Sequence, residues 1–315
     1  MSIKNIILFI SFFFFLSCSK EVKIDIPGFK SQLVVDGTIE TDGHPLVILS
    51  KSSNIYSETS IQAYLNNFIY DANVKVVHGV DTFNLSPMNI VDLPLASQKK
   101  VAEMLEISFN EVQQLPIKIF TSLDLIATSD SNYELIIQHE SKTYKSITYI
   151  PSPTPLTNLY WKPENSNTQY GKSWARLSDN SAQYDAYKWE VKRINKNENN
   201  NEEDKVFKKP RDAYFDDRYF NGLSFDFSYN NPRGLQDSLH LEEFKRFYRL
   251  GDSVVVKFSK LDKNTFTFFQ KKGAQLSSNA SPFASPINIP SNISGGALGI
   301  WAGFSPCYDT LYCIP

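Results

Sequence analysis

Tyr187-Lys188-Trp189-Glu190-Val191-Lys192 alternates apolar and charged side chains without a break. A period of two marks a strand, whose successive side chains point to opposite faces. Tyr187, Trp189 and Val191 therefore share one face, which reads as core. Downstream, Leu223, Phe225, Phe227 and Tyr229 alternate with polar partners, and Ser253-Val254-Val255-Val256-Lys257-Phe258 makes a third strong strand. Between the first two lies the tract from Asn195 to Asp204, too polar to pack and read as a hairpin loop. The stretch from Asp262 to Leu276 breaks the strand pattern: Phe266 and Phe269 precede Lys271-Lys272-Gly273, which suits a helix with a basic last turn and a glycine stop. Residues 156–315 are thus expected to form a β-rich domain with one main helix.

Upstream, Pro151-Ser152-Pro153-Thr154-Pro155 has proline at alternate positions, which holds the backbone extended and removes sheet donors, so 151–155 reads as a linker. Before it come Leu33-Val34-Val35-Asp36-Gly37-Thr38-Ile39-Glu40, Leu46-Val47-Ile48-Leu49, Val74-Lys75-Val76-Val77, Thr82-Phe83-Asn84-Leu85, Tyr133 to Ile137 and Tyr144 to Tyr149. Short strands with frequent turns predict an immunoglobulin-like β-sandwich over 31–150. One segment departs from it. Val101, Met104 and Leu105, followed by the capping-box spacing of Ser108 to Glu111, predict two short helices inserted at about 97–115 and strapped over one sandwich face. The expected class is mainly β, an N-terminal sandwich with a helical insertion and then the second β-rich domain.

The chain has 315 residues and a mass of 35.9 kDa, which suits about two domains. With 32 Lys+Arg against 34 Asp+Glu and a pI near 6.1, it lacks the uncompensated basic surface that nucleic acid requires. Aromatic residues make up 14% of the chain, which favours pleated surfaces over helical bundles.

Residues 1–17 read as an export signal: Lys4 precedes an apolar run from Ile6 to Leu16, shorter than the roughly 20 residues that span a bilayer as a helix. Leu16-Ser17-Cys18 follows at once and resembles the lipobox of bacterial lipoproteins, in which the cysteine is acylated and becomes the first mature residue. Anchorage is the physical sense of this: each buried methylene contributes about 0.8 kcal/mol, so several palmitate-like chains on Cys18 hold stably where one does not. Residues 18–30 then form a tether. The other cysteines, Cys307 and Cys313, are expected to close a local disulfide across a tight turn in an oxidising compartment, with free thiols as the alternative; a metal pair would need further ligands, and no His follows His240.

Four stretches, taken in order, are similar to a known family. They are Leu33 to Ile39, Tyr214-Phe215-Asp216-Asp217-Arg218-Tyr219-Phe220-Asn221-Gly222, Leu250-Gly251-Asp252-Ser253-Val254, and Pro290 to Trp301 with Gly295-Gly296 and Gly299. Together they resemble the Bacteroidota-type lipoproteins of domain-of-unknown-function family 4249, from Cys18 to about Phe304. The resemblance implies an exported lipoprotein of the outer envelope, often encoded beside a TonB-dependent transporter, and carries no catalytic residues over.

The residues themselves point to binding. Asp212, Asp216 and Asp217 lack the spacing of a calcium loop and read as turn formers or partners of Arg211 and Arg218. The glycines at 295, 296 and 299 lack a phosphate-loop spacing and read as a bulge or a close strand crossing. His44, His78, His139 and His240 are scattered, no Gly-x-Ser-x-Gly elbow occurs, and no catalytic residue, metal or cofactor is visible. Two carboxylates brought together by folding would be the enzymatic alternative. Exposed rings stack on sugar faces or anchor interfaces, and Trp161, Trp174 and Tyr214 are the candidates for a ligand surface. The expectation is a non-catalytic protein held at the outer membrane through Cys18. Its partner would be a TonB-dependent transporter, or else it would bind a glycan or peptide alone.

Overall fold

The alternation at 187–192 is a strand from Ala186 to Arg193, and its apolar face is core as read: Tyr187, Trp189 and Val191 are buried. The structure, a computed structural model, describes residues 29–54, 60–196, 200–232, 242–278 and 287–314. Its elements are mainly β. In chain order they are β1 (Leu33–Glu40), β2 (Leu46–Lys51), helix α1 (Ile61–Leu65), β3 (Asn73–His78), β4 (Asp81–Asn89), α2 (Leu95–Leu105), α3 (Phe109–Val112), β5 (Lys118–Thr121), β6 (Ser131–His139) and β7 (Lys142–Ile150). Then follow β8 (Thr157–Pro163), β9 (Tyr170–Ser178), β10 (Ala186–Arg193), β11 (Tyr214–Asp216), β12 (Ser224–Tyr229), β13 (Tyr248–Arg249), β14 (Ser253–Leu261), α4 (Lys263–Ser278) and β15 (Leu298–Tyr312).

Eleven strands pair in the order β11-β10-β14-β15-β1-β2-β5-β4-β3-β6-β7. The path turns a corner at β4, whose first half, Asp81 to Leu85, pairs with β3 and whose second half, Ser86 to Asn89, pairs with β5. Two layers result, and they close on one core. Val35, Leu49, Phe120 and Trp301 face Val76, Tyr133, Leu135 and Ile137, and Trp301 Nε1 donates across the gap to the Tyr133 carbonyl at 2.9 Å. Gly37 makes room for that indole, since a Cβ there would lie 2.7 Å from Trp301 Cε3. The continuous apolar run Leu46-Val47-Ile48-Leu49 is buried on both faces because the helical insertion covers the outer one: Leu46 and Ile48 pack with Ile90, Leu93, Val101, Ala102 and Val112. The capping box is present, with Glu111 N donating to Ser108 Oγ at 3.2 Å and Ser108 N donating to the Glu111 carboxylate at 2.9 Å.

A smaller sheet, β12-β9-β13 with β8 on β9, lies against the apolar face of β10 and β14. Leu177, Phe227 and Tyr229 meet Tyr187, Trp189, Val256 and Phe258 there, and Trp189 stacks on Tyr229 with centroids 5.1 Å apart. Asp262 accepts the Thr265 amide at 2.8 Å and so caps α4.

The longest strand joins the two parts. Leu298 to Phe304 of β15 pair in parallel with Val34 to Glu40 of β1, and Phe304 to Tyr312 pair antiparallel with β14. Residues 298–304, grouped by the sequence with the second unit, are thus a strand of the first unit's sheet as well. The expected Cys307–Cys313 disulfide is corrected by the same strand. Both thiols are free. The stretch between them is straight strand and not a tight turn, and six residues at roughly 3.3 Å each separate them far beyond the roughly 7 Å that a bridge tolerates. Burial raises both thiols, so neither has thiolate character. Cys18 lies outside the described residues. Among the described residues, no helix is long and apolar enough to cross a membrane.

Candidate functional site

If Tyr187, Trp189 and Val191 face the small sheet, Lys188, Glu190 and Lys192 must face the other way. Across the ladder Glu190 sits opposite Lys257, and Lys257 opposite Tyr308. From β1, Glu40 reaches the same face. A charged strand face is ordinarily solvated, but this one is covered, and Glu190, Lys257 and Lys188 are almost wholly buried.

The charges survive burial because they alternate. Lys257 Nζ lies 2.8 Å from Glu40 and 4.0 Å from both Glu103 and Glu190. Lys188 pairs with Glu190 at 2.8 Å, and Lys100 contacts Glu40 directly and Glu103 at 3.7 Å. Three lysines thus meet three glutamates. Aromatic rings complete the packing: Lys188 lies over Phe304 at 5.2 Å and Lys257 over Phe207 at 5.5 Å.

What covers the cluster is a strap. Lys205, Phe207 and Lys209, at every second position, each bind the insertion: Lys205 to Asn110 at 2.9 Å, the Phe207 amide to Glu103 at 3.0 Å, and Lys209 to Glu106 at 2.7 Å. On its other side the Lys208 amide donates to the Val191 carbonyl at 2.8 Å. The tail of the loop predicted at 195–204 therefore runs into a clasp between β10 and α2.

Two hollows flank the strap. One, of about 410 Å³, has its floor on Glu40, Lys100 and Lys257 and its walls on Lys99, Lys205, Phe207 and Tyr308. The other, of about 460 Å³, lies between Lys209, Arg211, Tyr214 and the α4 residues Phe269 and Lys272. Asp36 lines the narrow space of about 40 Å³ between α2, Tyr214 and α4. Its carboxylate makes no ion pair or hydrogen bond among the described residues, and burial, only partly offset by Lys272, raises it.

Burial works to raise the Glu40 carboxyl, but Lys100 and Lys257 outweigh it and hold it well below the usual range. Glu190 is lowered in the same way, with Lys188 and Lys257 overcoming burial. For Lys257, burial is outweighed by Glu40 and Glu190, so the ammonium is strengthened. Lys100 moves the opposite way: burial pulls it down, and Lys257 and Lys188 add to that against Glu40 and Glu103. Glu40 and Lys100 thus move in ways that disagree about their contact; Glu40 is held ionised by Lys100 and Lys257 together, and Lys100 is the less firmly held charge of the cluster. These carboxylates bind charge and do not offer the proton near neutrality that acid catalysis uses.

Both glutamates titrate lower in the folded chain than the unperturbed 4.5, so their contribution is complete above about 4.5 and lost as the pH falls towards the folded values. The melting midpoint is expected to stay level from pH 7 to about 5 and to drop steeply below 4.5. A circular-dichroism melt series checks this, and an undiminished midpoint at pH 3 contradicts it.

The residues chosen from sequence as a ligand surface do not converge. Trp161 is 6% exposed and packs in the core of the small sheet, so its reading as a solvent-facing ring is corrected. Gly171 lies so close that a Cβ there would be 2.6 Å from the indole. Trp174, on the opposite side of that sheet, is half-buried, stacked on Tyr160 with Lys162 over it at 5.5 Å. Tyr214 alone reaches the charged face, stacked on Phe269 with centroids 4.9 Å apart. Asp216 pairs with Arg218 at 2.8 Å, as the sequence indicated, and Asp217 accepts the Asp185 amide at 2.7 Å. No group of three or more His, Cys, Asp or Glu among the described residues is placed to hold a metal. The cluster residues Glu40, Lys100, Glu103 and Lys257 carry no motif. The one signal was Lys257 inside the apolar run from Val254 to Phe258.

In a comparison with family models, residues 19–306 match the family described as Domain of unknown function (DUF4249). The chain belongs to that family. No curated protein matches it in sequence.

Proposed function

We propose that this member of the DUF4249 family is an exported protein, acylated at Cys18 and held at the outer membrane, that works by holding a ligand and not by breaking bonds. The observation that carries the reading is the hollow beside the strap: its floor is a charge cluster already neutralised from within, and its rim is open. Such a floor is rigid and fixes the position of a ligand without reacting with it. The anchor is supported by Leu16-Ser17-Cys18 after the apolar run, and by a family match that begins at the very next residue. A TonB-dependent transporter that receives the ligand is the partner we propose. A lone glycan- or peptide-binding role is the second reading, favoured by one observation: Tyr308, at the rim, is 57% exposed. A hydrolase finds less support, since lysines hold the paired carboxylates ionised.

Cys18→Ala is expected to move the protein from the membrane pellet to the soluble fraction after ultracentrifugation, and a variant that still sediments with membranes overturns the anchor. Affinity purification of the acylated protein from detergent-solubilised outer membrane tests the rest. A co-purifying transporter supports the partner reading; recovery of the protein alone with bound polysaccharide replaces it with the second.

A further inference from the structure

The 410 Å³ hollow has an asymmetry that its floor does not share. Five lysines line it, Lys99, Lys100, Lys192, Lys205 and Lys257, against three carboxylates, Glu40, Asp42 and Glu103. Lys100 and Lys257 are taken by the glutamates of the floor, and Lys192 is taken by Glu202 at 3.0 Å. Lys99 and Lys205 are left. Neither has a carboxylate within ion-pair distance among the described residues, and Lys205 finds only the neutral Asn110 amide oxygen at 2.9 Å. These two ammonium groups outnumber Asp42, the remaining carboxylate of the lining, so the rim is net positive, which attracts an anion and repels a cation.

Beside them stands an aromatic wall. Tyr308 and Phe207 lie with centroids 6.0 Å apart and ring planes inclined by 49°. The Phe207 ring is occupied, because Lys192 and Lys257 sit over it at 5.7 Å and 5.5 Å. Tyr308 is the exposed ring, a flat surface for the C–H face of a sugar. The volume is at the small end of the roughly 300–1,000 Å³ of small-molecule sites, enough for about one or two pyranose rings.

We infer that this hollow binds a carboxylate-bearing sugar, a uronic acid of an extracellular glycan, with its carboxylate between Lys99 and Lys205 and its ring against Tyr308. The inference rests on the binding reading above and names its ligand class. Asp42, on the same rim, is the one exposed carboxylate of the lining, and it orients the acid away from its own side.

Isothermal titration calorimetry on the acylated protein in detergent tests this with three probes: digalacturonate, the neutral digalactose analogue and an acidic tripeptide. Digalacturonate is expected to bind at least about tenfold more tightly than the neutral disaccharide, the scale of one charge-assisted hydrogen bond. Its affinity should fall with added salt, and Lys99→Gln with Lys205→Gln should reduce it about tenfold or more. Tyr308→Ala should weaken both sugars alike. Melting midpoints near that of the parent protein show that these rim variants fold. Equal affinity for the two disaccharides, or acid binding indifferent to the lysine variants, overturns the inference. Lysine-dependent binding of the tripeptide but not of digalacturonate overturns the sugar class and leaves the binding reading standing. Silence with all three overturns the ligand class, while co-purification judges the wider reading independently.

Discussion

Lys257→Met is expected to destabilise the fold by about 3–5 kcal/mol, the cost of leaving buried partners with uncompensated charge. The side chain changes little in volume, so packing is nearly preserved and the loss is electrostatic. Lys257 is the shared partner of Glu40, Glu103 and Glu190, all within 4.0 Å of its ammonium. Without it Glu190 keeps Lys188 and Glu40 keeps Lys100, which burial already pulls towards the neutral form. The melting midpoint should drop on the order of 10 °C. Adding Glu40→Gln should restore part of the loss, because the variants share a contact and their effects do not add. A single variant melting within about 2 °C of the parent would mean that the cluster is hydrated and not buried. The exposed pair Arg176–Asp226, at 2.8 Å, makes the control: breaking it should change little.

Gly299→Ala is expected to prevent folding, or to leave a product melting far below the parent. Its φ is +107°, outside the range of L side chains, and a Cβ would lie 1.9 Å from the Val35 carbonyl oxygen in the facing strand. The obstruction is backbone and cannot rotate away. Positive φ alone costs about 1–3 kcal/mol, and displacing β1 from β15 adds the ladder they share. Gly273→Ala is the contrast. That glycine does not stop the helix, as its sequence suggested, but lies within α4, which continues to Ser278, with nothing near its missing Cβ, so the change should stabilise by roughly 0.5–1 kcal/mol. A chemical denaturation series on the two variants reads both effects. Equal midpoints for Gly299→Ala and the parent would refute the close crossing.

Much of the fold was legible because strand and helix periods are local. The alternation at 187–192, the apolar run at 46–49 and the Ser108–Glu111 spacing each announce an element from neighbouring residues. The site was not legible, because its residues come from five separate places and meet only when β1, β10, β14, α2 and the strap are assembled. Lys188 and Glu190 are the charged half of that alternation, and the helical insertion, Tyr214 and the strap together make them interior. Cys307 and Cys313 misled for the opposite reason: proximity in sequence suggested a turn, whereas extended strand carries neighbours apart. Trp161 misled because its exposure depends on Gly171, a partner across the small sheet.

The parallel ladder between β1 and β15 joins positions 264 apart in the chain (298 minus 34). Closing so large a loop precedes any reward from the contacts it allows, so this pairing belongs late in the order of folding events. Until residues 298–304 arrive, one whole edge of β1 has no neighbour. On the export proposed above, a chain threaded through a narrow channel before folding would benefit from that delay, since the strand that locks it is among the last to come through.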